Sequence, residues 1–167
     1  LMYPDSLKNL IESFENFPGI GEKTAERMAF SVLSFDEDKF ELLQENLEEV
    51  KNNIRPCKIC NTLTDKDKCT ICESDLREKG TILVVEDSKI VFLFEKLGTY
   101  KGLYHVINGL ISPLDDINPE DIGLDMLLDR VKNENIKEVI LALKPSVEGE
   151  ITSLYIKKIL EGMNIVV

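Results

Sequence analysis

All four cysteines of this 167-residue chain fall in one short window, Cys57-Lys58-Ile59-Cys60, eight residues, then Cys69-Thr70-Ile71-Cys72. Two thiolates separated by two residues make a tight knuckle, and a second knuckle completes a tetrahedral four-sulfur site that suits Zn²⁺. The same residues could instead form two disulfides or remain four unrelated thiols. A closed four-sulfur site has no open ligand position. One structural Zn²⁺ held by Cys57, Cys60, Cys69 and Cys72 is therefore the expected cofactor. Shortly afterwards comes the apolar run Thr81-Ile82-Leu83-Val84-Val85, a strand pattern that ends in an acid, Glu86.

The length admits one domain or two to three small ones, and 43% apolar residues suffice for a core. No apolar run is long enough to cross a membrane. The opening Leu1-Met2 shows neither a basic region nor an apolar one, so no signal peptide is expected. A cytoplasmic protein follows, with its thiols reduced and open to metal. The net charge is −11, which argues against a generically basic nucleic-acid binder. Residues 1–56 carry 6 basic and 12 acidic side chains, residues 57–80 carry 5 and 5, and residues 81–167 carry 9 and 14. Any contact with nucleic acid must come from a local patch or from repetition of one patch in an oligomer.

The first 55 residues read as helices. Leu7, Leu10, Ile11 and Phe14 form one apolar stripe, which Pro18-Gly19-Ile20-Gly21 breaks. Ala25, Met28, Ala29, Val32 and Leu33 form a second. A third runs through Phe40, Leu43, Leu47, Val50 and Ile54, starting near Asp36 as N-cap and ending before Pro56. From residue 81 strands and helices alternate. Strands are expected at Ile82–Val85, Gly102–Ile107, Val139–Leu143 and from Met163 on. Helices are expected at Ser88–Leu97, stopped by Gly98, from Asn118-Pro119-Glu120-Asp121 on, and at Glu148–Glu161, closed by Gly162. That alternation predicts a parallel α/β sheet covered on both faces. Because the chain stops inside the fourth strand, closing elements are expected beyond Val167 or from another chain.

Two constellations carry candidate chemistry. Phe17-Pro18-Gly19-Ile20-Gly21-Glu22-Lys23-Thr24-Ala25, between two amphipathic helices, resembles a helix-hairpin-helix. Gly19 and Gly21 let the backbone turn and leave amides open at the start of the next helix, a ready phosphate site. Lys23 and Arg27, four apart, share a face, and Thr24 adds a hydroxyl. With Glu22 and Glu26 alongside, a hairpin that packs only on itself or on a partner is the competing reading. The second constellation is Glu86 with Lys144-Pro145-Ser146-Val147-Glu148-Gly149-Glu150, at the carboxyl ends of parallel strands, where ligands ordinarily sit. It resembles a Toprim domain. Catalytic Toprim domains place an Asp-x-Asp pair where this chain has Lys144 and Ser146. An ammonium there repels a divalent ion, which speaks against the alternative reading of a Mg²⁺-dependent Toprim nuclease or topoisomerase fragment and against an enzyme. Glu148 and Glu150 either favour the helix dipole or dock a basic partner. His105 in its strand pattern reads as a strand side chain, and Tyr104 and Tyr155 as core or sheet-edge residues.

In order, hairpin, cysteine ribbon and non-catalytic Toprim domain resemble the RecR family of recombination mediators. The resemblance spans Tyr3 to Val167 and rests on Phe17–Arg27, Cys57–Cys72, Ile82–Asp87, Gly102–Pro113 and Val139–Glu150. It implies an α+β multi-module chain: a helical helix-hairpin-helix domain over 1–55, a four-cysteine zinc-finger segment over 56–80 and a Toprim domain over 81–167. It further implies a nucleoid-associated protein of RecFOR-type DNA repair that acts without catalysis. Such a protein surrounds duplex or gapped DNA as a dimer or tetramer ring and helps load recombinase onto single strands. Gly19, Gly21, Lys23, Thr24 and Arg27 would contact DNA. Glu86, Glu148 and Glu150 would face RecO-type and RecF-type partners. Lys144 stands where relatives more often carry Asn, and relatives continue past Val167 with a further Toprim segment and an assembly tail.

Overall fold

The computed structural model describes residues 3–167; the Leu1-Met2 start read above lies outside them. The described residues form two compact units, 3–52 and 53–167.

In the first unit, α1 (Asp5–Glu15) and α2 (Glu22–Leu33) pack as a helical hairpin, and α3 (Glu37–Asn53) follows. Ile11 of α1 meets Ala25 and Ala29 of α2, with Leu7, Leu10, Phe14 and Ile20 around them. The two alanines are fully buried. Small side chains at i and i+4 let the helix axes approach closely. Asp36 caps α3 as its position suggests, its carboxylate accepting from Lys39 N at 2.8 Å. The stripe expected to bury α3 does not: none of its residues is buried, and Leu47 and Val50 are 59% and 62% exposed.

The second unit starts with a two-residue antiparallel pair, β1 (Arg55–Pro56) and β2 (Leu63–Thr64), which brackets the first knuckle; α4 (Thr70–Glu73) carries the second. Then come β3 (Thr81–Val85), α5 (Ser88–Leu97), β4 (Leu103–Val106), α6 (Leu124–Asn133), β5 (Glu138–Leu141) and α7 (Val147–Leu160). The sheet is parallel, in the order β4-β3-β5, with Ile82 opposite Leu103 on one side and Val139 on the other.

Side chains alternate across the sheet. Ile82, Val84 and Val139 face Leu127 and Val131 of α6 and Ile156 and Leu160 of α7. Leu83, Val85, Tyr104 and Val106 face Val91 of α5 and also Cys57, Cys60, Cys69 and Ile71. The cysteine segment thus covers the second face jointly with α5. Complete burial of each Val or Leu contributes about 1.5–3 kcal/mol, so both layers matter.

α5 has the expected bounds because both ends are signalled locally. Asp87 accepts from Lys89 N at 2.9 Å, and Gly98 takes the left-handed conformation at φ 69°. Three expectations are corrected. The helix beginning at Asn118 is a 3-10 turn, Pro119–Ile122, which Gly123 at φ 67° separates from α6. Residues 163–167 form a single parallel bridge, Glu138 with Val166, rather than a strand. Tyr155 lies half-exposed on α7, away from core and sheet edge. No helix among the described residues is long and apolar enough to cross a membrane.

Candidate nucleic-acid interface and zinc centre

The turn between α1 and α2 is closed by two short backbone bonds, Phe17 N to Phe14 O and Ile20 N to Phe17 O, each 3.1 Å. Gly19 sits at φ 79°, which L side chains rarely adopt. Gly21 is the N-cap of α2 in an extended conformation, without a side-chain cap, and a Cβ there would meet nothing within 4 Å. Packing therefore does not demand glycine at 21. Its missing side chain leaves the first-turn amides of α2, which have no intrahelical acceptor, open to an anion.

Lys23, Thr24 and Arg27 are all exposed, and neither cation makes an ion pair among the described residues. The acids beside them sit on a different side of the helix. Glu26 accepts from the Tyr3 hydroxyl, and Glu22 and Glu26 line a cleft with Asp5, Ile11 and Glu15 of α1. Thr24 and Arg27 line a separate groove with Met28 and Ser31. Four-residue spacing sorts charge by face: carboxylates towards α1, cations outward.

The four cysteine sulfurs lie within 4.8 Å of one another, and Cys60 Sγ is 3.6 Å from Cys69 Sγ. A tetrahedron with zinc–sulfur bonds of about 2.3 Å has edges of about 3.8 Å, so the set fits Zn²⁺. No disulfide joins them. Backbone amides already point at the sulfurs: Ile59 N and Cys69 N at Cys57 Sγ (3.4 and 3.3 Å), and Cys72 N at Cys69 Sγ (3.5 Å). Such donors stabilise thiolates. Protonated, the cluster divides its charge unevenly. Hydrogen bonds from Cys60 and then Cys72 hold the Cys69 thiol well below the usual thiol range, whereas its bond with Cys69 pushes the Cys60 thiol up. The Cys72 thiol is raised, first by Cys60. Zinc would replace those shared protons, and its site is closed by Cys57, Cys60 and Cys69, all buried, with Cys72 partly so.

The knuckle is tied to the sheet. Val106 N donates to Cys60 O at 2.8 Å, Asn61 Nδ2 donates to Val106 O at 3.1 Å, and Leu63 N donates to Ser88 Oγ at 3.1 Å.

At the carboxyl end of the sheet, β3 and β5 run side by side, with Val84 opposite Leu141. Glu86 and the 144–150 segment therefore leave from neighbouring strands. Glu86 is half-buried, and its Oε2 is buried without a hydrogen-bond partner among the described residues. Ser146 caps α7, accepting from Gly149 N at 3.2 Å. A Cβ on Gly149 would sit 1.8 Å from Lys144 O, so this loop closes only around glycine. Lys144 and Glu150 are exposed, and Glu148 is half-buried.

His105 is the strand side chain its pattern predicts, but sequence reasoning missed its partner. It is fully buried on β4, with Nδ1 3.3 Å from Arg130 Nη1 of α6. Burial, then the Arg130 charge, lowers its pKa to about 3. Only packing between distant segments brings the two together.

These features define a three-module protein class: a helix-hairpin-helix, a four-cysteine zinc centre and a Toprim sheet. Family models match accordingly: the RecR helix-hairpin-helix over residues 7–51, the RecR zinc finger domain with four cysteine ligands over 54–74, and the Toprim domain over 80–167. The chain is 46% identical over 163 residues to a "Recombination protein RecR" of Staphylococcus haemolyticus, covering 98% of this chain and 82% of that one. Proteins of the same name from Staphylococcus saprophyticus (46% over 165 residues, covering 99% and 83%) and Staphylococcus aureus (45% over 163, covering 98% and 82%) are similar to it. The chain belongs to the RecR family.

Proposed function

We propose that this chain is a DNA-binding recombination mediator of DNA repair that works without catalysis. In this reading the hairpin grips backbone phosphates through the amides after Gly19 and Gly21, the Thr24 hydroxyl and the cations of Lys23 and Arg27. The carrying observation is the sorting of charge on α2, which leaves Lys23 and Arg27 exposed and unpaired among the described residues while Glu22 and Glu26 turn to α1. One hairpin is weak against a net charge of −11. Several copies closed around one DNA would multiply the grip through effective concentration. The uncovered apolar face of α3 supports such self-assembly into a dimer or tetramer ring.

RecFOR-type repair, with RecO-type and RecF-type partners docking on Glu86, Glu148 and Glu150 and recombinase loaded on gapped strands, belongs to the same proposal. The buried, unpartnered oxygen of Glu86 suits a basic partner side chain. Lys144 and Ser146, a cation and a hydroxyl, are a poor set for Mg²⁺, which supports a non-catalytic Toprim cleft.

Exchanging both cations, Lys23→Glu with Arg27→Glu, is expected to weaken DNA retention by at least about tenfold, the worth of one or two charge-assisted contacts, with an unchanged melting temperature. Unchanged retention in a fluorescence anisotropy titration would sink the DNA reading. The acidic charge favours one rival, a protein adapter that never touches DNA; a DNA affinity that falls steeply with salt eliminates it. Mass in solution, with and without DNA, reports the ring.

A further inference from the structure

A cleft of about 490 Å³ lies at the opposite end of the sheet from Glu86, where the cysteine segment meets the amino-terminal ends of β3 and β5. Lys68, Lys79, Arg130 and Lys137 line it, with Glu134 and the zinc ligand Cys72 as the anionic groups among them. In a chain with 31 acids against 20 bases, that lining reverses the prevailing sign.

Its acid is already engaged. Glu134 accepts from Arg130 Nε at 3.1 Å and Nη2 at 3.3 Å, and Arg130 Nη1 donates to Tyr104 O at 2.8 Å. Arg130 is 7% exposed, so its guanidinium is a fixed part of the wall. Lys79 pairs at 3.0 Å with Asp75, which is 94% exposed and easily released. Lys68 and Lys137 make no ion pair among the described residues. Ile59 and Leu103 add apolar wall, and no aromatic side chain among the described residues lines it as a stacking platform.

A concave site with convergent cations concentrates charge rather than tracking a strand. A phosphodiester brings one negative charge per phosphate. A phosphomonoester brings about −1.5 to −2 and three strong acceptor oxygens. With nothing to stack on a base, recognition must come through the phosphate. We propose that this cleft binds a terminal phosphate group, carried either by the 5′ end of a DNA strand or by a free nucleotide. The strand-end version rests on the DNA reading above; the nucleotide version does not.

The test uses the zinc-loaded full chain. Anisotropy would compare single-stranded oligonucleotides bearing a 5′-phosphate or a 5′-hydroxyl, and calorimetry would titrate a nucleoside monophosphate. A preference of about tenfold for the phosphorylated strand is expected, the size of one charge-assisted bond. Lys79→Glu with Lys137→Glu should erase it, and Lys137→Gln, a milder change at an exposed position, should reduce it. Zinc content and melting temperature verify the fold of each variant. Lys23→Glu with Arg27→Glu should weaken both strands alike and leave the ratio intact. Binding of the monophosphate without a strand-end preference assigns the cleft to free nucleotides. A chain that binds no strand yet takes the monophosphate loses the hairpin reading and keeps the cleft. Equal strand affinities together with no monophosphate binding overturn the proposal, and so does a preference that survives charge reversal in the cleft.

Discussion

In residues 3–52 the buried apolar side chains are Ile11, Ala25 and Ala29, whereas from Asn53 onward a sheet has both faces covered by helices and a metal knuckle. The first unit is long in helix and short in core; the second encloses its own. Helix stability in water comes mostly from packing of an apolar face rather than from propensity. α3 meets that requirement poorly within the chain, since all of its residues stay at least partly exposed. The contrast suggests that the second unit folds on metal and sheet, while the first gains stability from whatever covers α3.

The harshest way to break the contrast is to remove the metal. Structural zinc contributes on the order of 10 kcal/mol of folding free energy in small domains. Chelation, or Cys60→Ser, is expected to abolish the cooperative melting of the second unit in calorimetry. Survival of that transition at an unchanged temperature would show that the knuckle merely rests on the sheet.

Gly149→Ala strikes the same unit without touching metal. Its Cβ has no room beside Lys144 O, and overpacking costs about 1–3 kcal/mol or more, readable by denaturant titration. Acidification probes the buried His105. Its folded pKa, about 3, lies below the unfolded value, so its contribution is present above pH 6.5 and is lost as pH falls towards 3. From pH 7 to 5 that loss amounts to at most about 2 kcal/mol. His105→Leu should flatten the slope of stability against pH over that interval; an unaltered slope would remove His105 from the acid response.

The mildest test compares two sites in the first unit. Ala29→Leu, at a fully buried position between α1 and α2, should cost about 1–3 kcal/mol. Leu47→Ala on α3 should stay within about 0.5 kcal/mol in dilute monomer and cost more once copies associate. A large Leu47 effect at every dilution would mean that the chain itself covers that face.

Local signals are readable where they are chemically loud. Asp87 and Gly98 bracket α5, Asp36 starts α3, and the paired cysteines define the metal set, because each acts within a few residues of itself. Positions that depend on distant segments are not readable. Nothing in the period of Leu83 or Val106 says that cysteines will cover them, and Gly123 ends a turn that pattern alone merges with α6. The hairpin is legible as a motif, but the separation of Glu22 and Glu26 from Lys23 and Arg27 emerges only once α1 is in place. The phosphate cleft joins Lys68, Lys79, Arg130 and Lys137 across about 70 residues of chain, beyond any local pattern.

The hydrogen bonds from Val106 to Cys60 and from Asn61 to Val106 have a wider consequence. β4 is the outer strand on its side of the sheet, and an outer strand with idle backbone groups invites pairing with foreign chains. Here the loop held by the thiolates occupies those groups at the end of the strand. A cell starved of the metal would thus lose more than a fold element: it would hold a protein with a sticky border, prone to clump before it could be refilled.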